Sequence, residues 1–445
     1  MSHINKKEAL LLFLGDIVIF VFSLWLTLYI RYFEFPTTKI FSIHIVPFSI
    51  LFAVWILVFF IAGLYEKHTV ILKSRLPSII LNAQALNSVI AVLFFYFIPL
   101  YGIAPKTNLF IYLVISFLLI LLWRIYIFAL FGARHRQNAI LVGRGQEMLD
   151  LRQEVNNNSR YNLKFISSVN LDDIGGFDFK EEIVTPIYSE NVSVIAVDLQ
   201  SEQVEPILPM LYNLIFSKIR FIDMHKIYED IFDRIPLSLV KYSWFLENIS
   251  LAPKSFYDTL KRLMDVVLAF VLSIISLPFY PLVWLLIKLD DGDKLFFVQE
   301  RVGKNNRNIK IVKFRSMSAE PDLENTNNVT RVGKYLRASR IDELPQLWNV
   351  LKGDLSLIGP RPELPGLVRM YEKEIPYYNV RHLIQPGLSG WAQLYHRTPP
   401  KFDVGYDETR MKLSYDLYYI KNRSFLLDLK IALKTLKTLL MRSGI

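Results

Sequence analysis

The sequence predicts a membrane protein built from a four-helix transmembrane bundle, a Rossmann-like α/β cytoplasmic domain, and a mostly α C-terminal domain with a proline-broken re-entrant membrane helix. Three observations predict this: four apolar stretches near the N-terminus, a change to alternating strand and helix patterns, and a fifth apolar stretch that contains two prolines. The predicted domains are 1–133, 134–252 and 253–445, with the re-entrant helix at 261–288.

The composition indicates a chain that lies partly in the membrane and partly in water. Of its 445 residues, 52% are hydrophobic and 21% are charged, which is too apolar for an ordinary soluble enzyme and too charged for a chain wholly in a bilayer. The chain has no cysteine, which excludes disulfides, thiolate zinc sites and iron–sulfur clusters. We therefore expect any metal on oxygen ligands, with Mg²⁺ as the first candidate.

The net charge of +10 has two interpretations, nucleic-acid binding and attraction to anionic lipid and phosphate-bearing substrates. No nucleic-acid-binding motif accompanies it, so we expect no nucleic-acid partner. Anionic lipid and phosphate-bearing substrates fit both the charge and the membrane segments.

Four stretches reach the roughly 20 apolar residues that a membrane crossing requires. They lie near residues 9–30, 42–63, 79–101 and 109–132. Basic residues concentrate before the first stretch, between the second and third, and after the fourth: Lys6, Lys7, Lys67, Lys73, Arg75, Arg134 and Arg136. The positive-inside rule then predicts that the N-terminus and the region after residue 133 are cytoplasmic.

Two charged residues fall at membrane depth, Asp16 in the first stretch and Arg124 in the fourth. A charge in the bilayer is costly and is normally paired or functional. We interpret these two as a structural ion pair within the bundle, with a transport role as the alternative.

The middle segment has the pattern of a parallel α/β unit, with predicted strands at 138–142, 192–198 and 219–223 and helical stretches between them. The first strand ends in Gly143-Arg-Gly145, the start of a dinucleotide-binding fingerprint, but Met148 stands where the third glycine is expected. Two interpretations stay open: a Rossmann-like unit used for packing or oligomerisation, and a nucleotide-binding one.

The fifth apolar stretch, 263–287, contains Pro278 and Pro281. Proline removes a backbone donor and clashes with the preceding turn, so we expect a sharp bend. Basic residues precede the stretch and more follow it up to residue 315, so both ends are predicted to be cytoplasmic. The segment must then turn back inside the bilayer; a full crossing is the alternative.

The segment 289–445 combines carboxylates with cations in a way that suits phosphoryl chemistry. Asp342 and Glu343 are adjacent, and an aspartate can act as a covalent nucleophile toward phosphorus. A carboxylate beside a pyrophosphate also suits Mg²⁺. The cations able to grip phosphate oxygens are Arg301, Lys313, Arg337 and Arg361. These residues alone predict a phosphate-handling domain at the membrane surface.

The order of several motifs resembles one known family. From Lys261 onward the chain is similar to the bacterial sugar transferases, also called monotopic phosphoglycosyl transferases, and with the segments in front it resembles their long form, the polyprenyl glycosylphosphotransferases. The motifs that carry the resemblance are KRLMD at 261–265, QERVG at 299–303, KFRSM at 313–317, DELPQLWNVLKGD at 342–354, GPRP at 359–362, PG at 386–387, GWAQ at 390–393 and YDLYY at 415–419.

This resemblance implies roles for individual residues. Asp342 matches the nucleophile, where Mg²⁺ is also expected, and Glu343 matches its catalytic partner. Arg361 matches the phosphate-binding arginine, and Pro278 the proline that breaks the re-entrant helix. Further active-site positions are matched by Lys313, Arg337 and Asp416.

The implied activity is transfer of a sugar 1-phosphate from a UDP-sugar to undecaprenyl phosphate, with release of UMP, through a phosphosugar–aspartate intermediate. The sugar is expected to be a hexose such as glucose or galactose, or an N-acetylated relative. The implied setting is the bacterial cytoplasmic membrane and the first membrane step of capsule, exopolysaccharide or O-antigen synthesis. A homodimer is a further expectation.

Some positions depart from the family pattern. Leu277 replaces the small polar residue that often precedes the helix-breaking proline, and the stretch after Gln393 differs from its common form. His396, in that stretch, is interpreted as a structural loop residue. The C-terminal run 425–440 is predicted to be an interfacial amphipathic helix, with a core helix as the alternative.

Two other functions stay open from the sequence. One is a non-catalytic membrane assembly or export factor that retains an enzyme-like domain. The other is a membrane-bound NAD-dependent sugar-modifying enzyme, which would use Gly143 and Gly145.

Overall fold

A computed structural model describes most of the chain. The described residues are 2–65, 76–98, 106–124, 136–158, 161, 163–172, 178–217, 219–249, 255–290, 294–318, 329–396 and 405–440. The predicted ends of the third and fourth spans, at 99–101 and 125–132, lie outside these residues, as do the basic loop residues 67, 73, 75 and 134.

The N-terminal region folds into four helices that pack together: α1 (Ser2–Tyr32), α2 (Thr38–Ile61), α3 (Leu76–Phe97) and α4 (Lys106–Leu122). The first three contain segments long and apolar enough to cross a membrane, and the fourth is a shorter apolar helix within the described residues. Their shared interior is rich in aromatic side chains, including Phe20, Phe48, Trp55 and Tyr112. The chain is therefore a membrane protein, while the fourth crossing stays a prediction.

The predicted ion pair between Asp16 and Arg124 is present, and both residues are buried between the helices. Asp16 also accepts a hydrogen bond from the Tyr65 hydroxyl at 2.7 Å, and Arg124 Nη1 donates to the Leu64 carbonyl at 2.8 Å. These partners satisfy both charges between the helices, which is consistent with the structural interpretation of the pair.

The middle segment forms a four-stranded parallel sheet in the order β2-β1-β3-β4. Its strands are β1 (Gln137–Gly143), β2 (Leu163–Asn170), β3 (Val194–Val197) and β4 (Arg220–Asp223), and the helices are α5 (Gly145–Asn157), α6 (Thr185–Ser189), α7 (Leu208–Asn213), α8 (Met224–Phe232) and α9 (Tyr242–Asn248). The three predicted strands are confirmed, whereas β2 was not predicted. The strand order is that of a flavodoxin-like doubly wound sheet, and the Rossmann-like assignment stays a prediction.

The glycines at the end of β1 have a local structural explanation. A Cβ on Gly143 would lie 2.6 Å from the Met224 sulfur, so Met224 fills the space beside this turn. Gly145 has a φ of +72°, which favours glycine. Packing and backbone conformation thus account for both glycines, and the NAD-dependent hypothesis gains no support from them.

The fifth apolar stretch is a broken helix, α10 (Ser255–Ser276) followed by α11 (Phe279–Asp290), with a bend of 57°. The break contains Pro278, which cannot continue the hydrogen-bond ladder. The Ser276 hydroxyl donates to the Ser273 carbonyl at 2.8 Å, so a small polar residue is present one position before Leu277.

Both arms of this broken helix contact the same folded unit. In α10, Arg262 donates to the Val350 and Leu351 carbonyls at 2.7 and 2.9 Å. At the end of α11, the Asp290 carboxylate accepts a hydrogen bond from the Val332 N–H at 2.9 Å.

The C-terminal unit is mostly helical but also contains two small sheets that were not predicted. Strands β5 (Phe296–Val302) and β6 (Asn308–Phe314) pair antiparallel, and β7 (Ser356–Ile358) and β8 (Gly387–Ser389) pair parallel. The helices are α12 (Arg331–Ala338), α13 (Gln346–Lys352), α14 (Pro365–Glu374), α15 (Trp391–Tyr395), α16 (Tyr406–Asn422) and α17 (Phe425–Leu440). The core of this unit includes Ile235, Val240 and Trp244 from the predicted middle domain.

Helix α17 packs into the C-terminal unit rather than lying free on its surface. Ile431 is fully buried, and the buried Asp428 accepts hydrogen bonds from Tyr257, Lys261 and Tyr419 at 2.7–3.1 Å. These contacts match the core-helix alternative.

Candidate active site

The site is assembled by the β5–β6 hairpin, the turn before α13 and the loop after β7. Lys313 lies near the end of β6, and its Nζ is 3.4 Å from Oε1 of Glu343. Burial lowers the pKa of Lys313 more than the nearby Glu343 carboxylate raises it. The lysine is thus a desolvated cation held against the Glu343 carboxylate, and such a cation interacts strongly with anionic oxygens.

Asp342 and Glu343 belong to one turn of 3-10 helix, Ile341–Glu343. The chain enters this turn through Arg340, which has a left-handed φ of 55°. The reversal lets Arg340 Nη1 come within 3.5 Å of Glu343 Oε2.

Glu343 is committed to cations on both of its oxygens. Its Oε1 is 3.4 Å from Lys313 and 3.7 Å from Arg361 Nη2, and its Oε2 faces Arg340. Burial acts to raise the pKa of Glu343, but these three cations outweigh it and lower the pKa. Glu343 is therefore ionised, and its carboxylate holds Lys313, Arg340 and Arg361 close together.

Asp342 has a different environment although it is the next residue. Its side chain is buried, at 8% exposure, and within the described part of the chain its carboxylate makes no hydrogen bond or ion pair. Burial and the adjacent Glu343 charge raise the pKa of Asp342 to about 6, against the opposing effect of Lys313, Arg337 and Arg340. This carboxylate is thus ionised at neutral pH and unusually basic for an aspartate. We call it uncommitted because it makes no hydrogen bond or ion pair within the described residues.

Residues 360–363 form a loop that is held through its carbonyl groups. Pro360 and Pro362 have no N–H to donate, and all four consecutive carbonyls accept hydrogen bonds. The Pro360 carbonyl accepts from Gly387 N at 2.9 Å, and the Arg361 carbonyl accepts from Arg381 Nη2 at 3.0 Å. The Pro362 carbonyl accepts from Arg301 Nη1 at 3.3 Å, and the Glu363 carbonyl accepts from Val302 N at 2.9 Å. Arg361 therefore extends from a well-anchored backbone, and its half-exposed guanidinium remains available to a ligand.

Glycines allow this loop to approach the β8 strand closely. A Cβ on Gly387 would lie 2.1 Å from the Gly359 nitrogen, so no side chain fits there. The Gly-Pro-Arg-Pro and Pro-Gly motifs are thus two halves of one backbone contact that sets the position of Arg361.

Three of the predicted site residues make no hydrogen bond or ion pair with Asp342 or Glu343 among the described residues. Arg337 is exposed at the end of α12 and acts on Asp342 through its charge. Arg301 contacts Gln299, the Pro362 carbonyl and Glu363, so it supports the loop. Asp416 is 1% exposed and pairs with Arg381 at 2.8 Å, behind the loop.

The described charges leave a cationic excess at the site. Arg301, Lys313, Arg337, Arg340 and Arg361 outnumber the three carboxylates of Asp342, Glu343 and Glu363 by two. A positive site of this kind suits a pyrophosphate.

The residues also fit a Mg²⁺ ion that binds together with the substrate. No cluster of three or more metal-ligating side chains is found among the described residues, so the protein offers no complete cage there. Mg²⁺ commonly uses one or two carboxylates and completes its shell with substrate phosphates and water. The uncommitted Asp342 carboxylate fits this role.

Sequence reasoning did not identify Arg340 and Arg381 as site residues. Arg340 lies just before the motif at 342–354, and its spacing of three from Glu343 was the available signal. Arg381 lies outside the recognised motifs and has only Tyr378 as a nearby partner, whereas its other partners, Arg361 and Asp416, are distant in the sequence.

Comparison with known proteins places this site within a matched region. A family model described as "Bacterial sugar transferase" matches residues 256–442. This region contains the broken helix except for its first residue, both small sheets and every residue of the candidate site.

Three curated relatives illustrate the range of similar proteins. An Aeromonas hydrophila protein named UDP-N-acetylgalactosamine-undecaprenyl-phosphate N-acetylgalactosaminephosphotransferase is 45% identical over 202 residues, which cover 44% of this chain and 47% of the relative. A Caulobacter vibrioides UDP-glucose:undecaprenyl-phosphate glucose-1-phosphate transferase is 39% identical, over 42% of this chain and 72% of the relative. The exopolysaccharide production protein PSS of Rhizobium leguminosarum bv. phaseoli is 37% identical, over 41% of this chain and 96% of the relative.

The matched shares differ among these relatives. The match spans about half the length of the Aeromonas relative but nearly the whole Rhizobium protein. The C-terminal unit is thus similar to almost the entire length of one relative.

Proposed function

The chain belongs to the bacterial sugar transferase family, and we propose that it transfers a sugar 1-phosphate from a UDP-sugar to undecaprenyl phosphate and releases UMP. The single observation that carries this proposal is the contrast at the acidic pair. Glu343 is held by three cations, whereas the buried Asp342 carboxylate makes no hydrogen bond or ion pair within the described residues.

In the first step, an Asp342 carboxylate oxygen attacks the phosphorus next to the sugar. The bond from this phosphorus to the oxygen bridging to the UMP phosphate breaks, UMP leaves with the electron pair, and a sugar-phosphoryl aspartate remains. The raised pKa of about 6 makes Asp342 a stronger nucleophile than an exposed aspartate. Arg361 and Lys313 stabilise the charge that develops on the phosphoryl oxygens.

In the second step, an oxygen of undecaprenyl phosphate attacks the same phosphorus, and the bond to Asp342 breaks. The product is a diphosphate-linked lipid sugar, and the Asp342 carboxylate is restored. Glu343 keeps Lys313, Arg340 and Arg361 near the phosphorus throughout, because it shares its charge among them.

We propose Mg²⁺ as the cofactor, held by Asp342 together with substrate oxygens. When bound, Mg²⁺ would neutralise pyrophosphate charge and make UMP a better leaving group.

In the proposed reaction, the broken helix holds the active site at the membrane surface, where a water-soluble donor can meet a lipid acceptor. Arg262 in one arm and Asp290 in the other both bond to the C-terminal unit. Since one folded unit lies on one side of a membrane, these contacts support a helix that enters the bilayer and returns. We propose that the active site faces the cytoplasm, where nucleotide sugars are made.

Labelling from either side of the membrane tests this topology. The chain has no cysteine, so single cysteines introduced by Asp258→Cys and Phe296→Cys are unique targets. We expect both to react with a membrane-impermeant maleimide only from the cytoplasmic side. Opposite accessibility of the two positions contradicts a re-entrant helix.

The relatives named above suggest the donor range. Two of them are named for transfer of N-acetylgalactosamine phosphate and of glucose phosphate, and a further relative, from Erwinia amylovora, is named UDP-galactose-lipid carrier transferase. We propose a hexose or N-acetylhexosamine donor, used in the first membrane step of a capsule, exopolysaccharide or O-antigen. A homodimer remains a prediction.

The activity is tested with the full-length protein in lipid nanodiscs. The protein is incubated with undecaprenyl phosphate, Mg²⁺ and each of a panel of UDP-sugars, and both UMP and lipid-linked sugar are measured. We expect equal amounts of the two products from one preferred donor. Absence of UMP with every donor, from protein that remains folded, would contradict the proposed function.

A further inference from the structure

The Arg361 loop depends on side chains as well as on backbone contacts. Two of its four carbonyls accept from the backbone N–H groups of Gly387 and Val302. The other two, at Arg361 and Pro362, accept from the guanidinium groups of Arg381 and Arg301. The donor to Arg361 itself is therefore Arg381.

Arg381 is an unusual residue for this position, because it is charged and only 5% exposed. Its Nη2 lies 2.8 Å from Asp416 Oδ2 and donates to the Arg361 carbonyl at 3.0 Å, while Nη1 donates to the Tyr378 hydroxyl at 2.6 Å. A buried ion pair adds little stability compared with well-packed apolar side chains. Its geometric specificity is the more informative property, since the planar guanidinium fixes several partners at once.

Asp416 holds the other side of Arg381. It is 1% exposed on helix α16, so a substrate at Glu343 and Arg361 does not reach it directly. The same helix is fixed at Ser414, whose carbonyl accepts from the Ile235 N–H at 3.2 Å and whose hydroxyl donates to the Ile235 carbonyl. Asp416 thus extends from a helix that is anchored to residues outside the catalytic motifs.

We propose that Arg381, held by Asp416, is a positioning residue that fixes the Arg361 backbone and thereby aims the Arg361 guanidinium at the substrate phosphate. The inference rests on the proposed transfer reaction and adds a role to a residue outside the recognised motifs. It also gives Asp416 an indirect role, through Arg381, in place of direct contact with the substrate.

A double-mutant cycle tests this coupling. Arg381→Met and Arg361→Ala are made singly and together in the full-length protein, and kcat/KM for the UDP-sugar is measured from UMP release. A misplaced catalytic group costs on the order of 10²-fold, so we expect about this loss for Arg381→Met in the parent protein. In the Arg361→Ala background the same change should cost less than about threefold, because coupled residues are not additive.

Two further variants distinguish a loss of positioning from a loss of folding stability. Asp416→Asn preserves the shape of its side chain and is expected to show the same non-additivity with Arg361→Ala, with a smaller loss. Lys421→Met breaks another largely buried pair, the 2.7 Å contact with Glu229, and serves as the matched control. It should lower the melting temperature without changing KM for the UDP-sugar.

The outcomes distinguish failure of the positioning role of Arg381 from failure of the proposed transfer reaction. Equal losses from Arg381→Met in both backgrounds, or from Asp416→Asn in both if the first variant does not fold, overturn the positioning role. If the folded parent protein releases no UMP with any donor, the proposed function fails and this role fails with it. Additive variants of an active parent overturn the positioning role alone.

Discussion

Two buried aspartates, Asp16 between the N-terminal helices and Asp342 in the C-terminal unit, differ in how their charges are satisfied. Asp16 is fully buried and bonds to Arg124 and Tyr65. Asp342 is almost as buried, and three cations influence it electrostatically, yet within the described residues its carboxylate makes no hydrogen bond or ion pair. The neighbouring Glu343 takes the direct contacts with Lys313, Arg340 and Arg361.

The difference teaches that burial of a charge does not by itself mark a catalytic group. A buried carboxylate whose partners satisfy it stabilises one arrangement of helices. A buried carboxylate left uncommitted keeps its lone pairs for a substrate or a metal, and its raised pKa increases its basicity. Substitutions at the two sites should therefore separate turnover from stability.

The largest effect on turnover is expected from Asp342→Asn. The amide keeps the shape of the side chain but cannot form the sugar-phosphoryl intermediate, so UMP release should fall by about 10³-fold or more. The control is Asp354→Asn, because Asp354 pairs with the exposed Lys352. Near-normal turnover in folded Asp342→Asn protein would show that the nucleophile is another residue.

The next largest effect is expected from Glu343→Gln, with a loss of about 10²-fold. Lys313, Arg340 and Arg361 would lose their shared anion, and displaced catalytic groups cost about this much. Melting temperature and kcat/KM for the UDP-sugar are measured together. A loss of melting temperature with unchanged kcat/KM would mean that Glu343 is only structural.

The pH dependence of kcat/KM should show an acid limb near pH 6. Asp342 reacts as the carboxylate, and burial with the Glu343 charge raises its pKa to about 6. Activity should therefore rise with pH through this value, falling about tenfold for each pH unit below it. Because the Glu343 charge raises the Asp342 pKa, the limb should move to lower pH in Glu343→Gln. If the acid limb stays at the same pH in Glu343→Gln, a group other than Asp342 gives rise to it.

The smallest effect on turnover is expected from Asp16→Asn. Arg124 would lose its counter-charge inside the bundle, and breaking a buried pair in this way costs about 3–5 kcal/mol of the free energy of unfolding. Turnover per folded molecule should stay within about twofold, because distant sites act independently. Thermal unfolding in nanodiscs and specific activity measure the two quantities. A large loss of turnover with unchanged stability would instead give the membrane pair a functional role.

Much of the site could be predicted because its residues lie in compact motifs. Asp342, Glu343 and Arg361 were chosen as candidate residues from local sequence, and Pro278 predicted the break in the apolar helix. Arg381 could not be identified in this way, because it lies outside the motifs and two of its partners, Arg361 and Asp416, are distant in the sequence. Strand β2 was missed because its serines interrupt the apolar pattern of a buried strand.

The sequence alone determined that this chain is a membrane protein, where its apolar helix breaks and which residue types are suited to binding phosphate. Apolar length, proline chemistry and charge are local properties of the chain, so they can be read without a fold. Tertiary structure decided that Glu343 takes the cations and Asp342 stays uncommitted, that Arg301 and Asp416 support the loop, and that Arg381 joins them. These outcomes depend on which groups come within hydrogen-bond distance after distant segments pack, and adjacent residues such as Asp342 and Glu343 then acquire different chemistry.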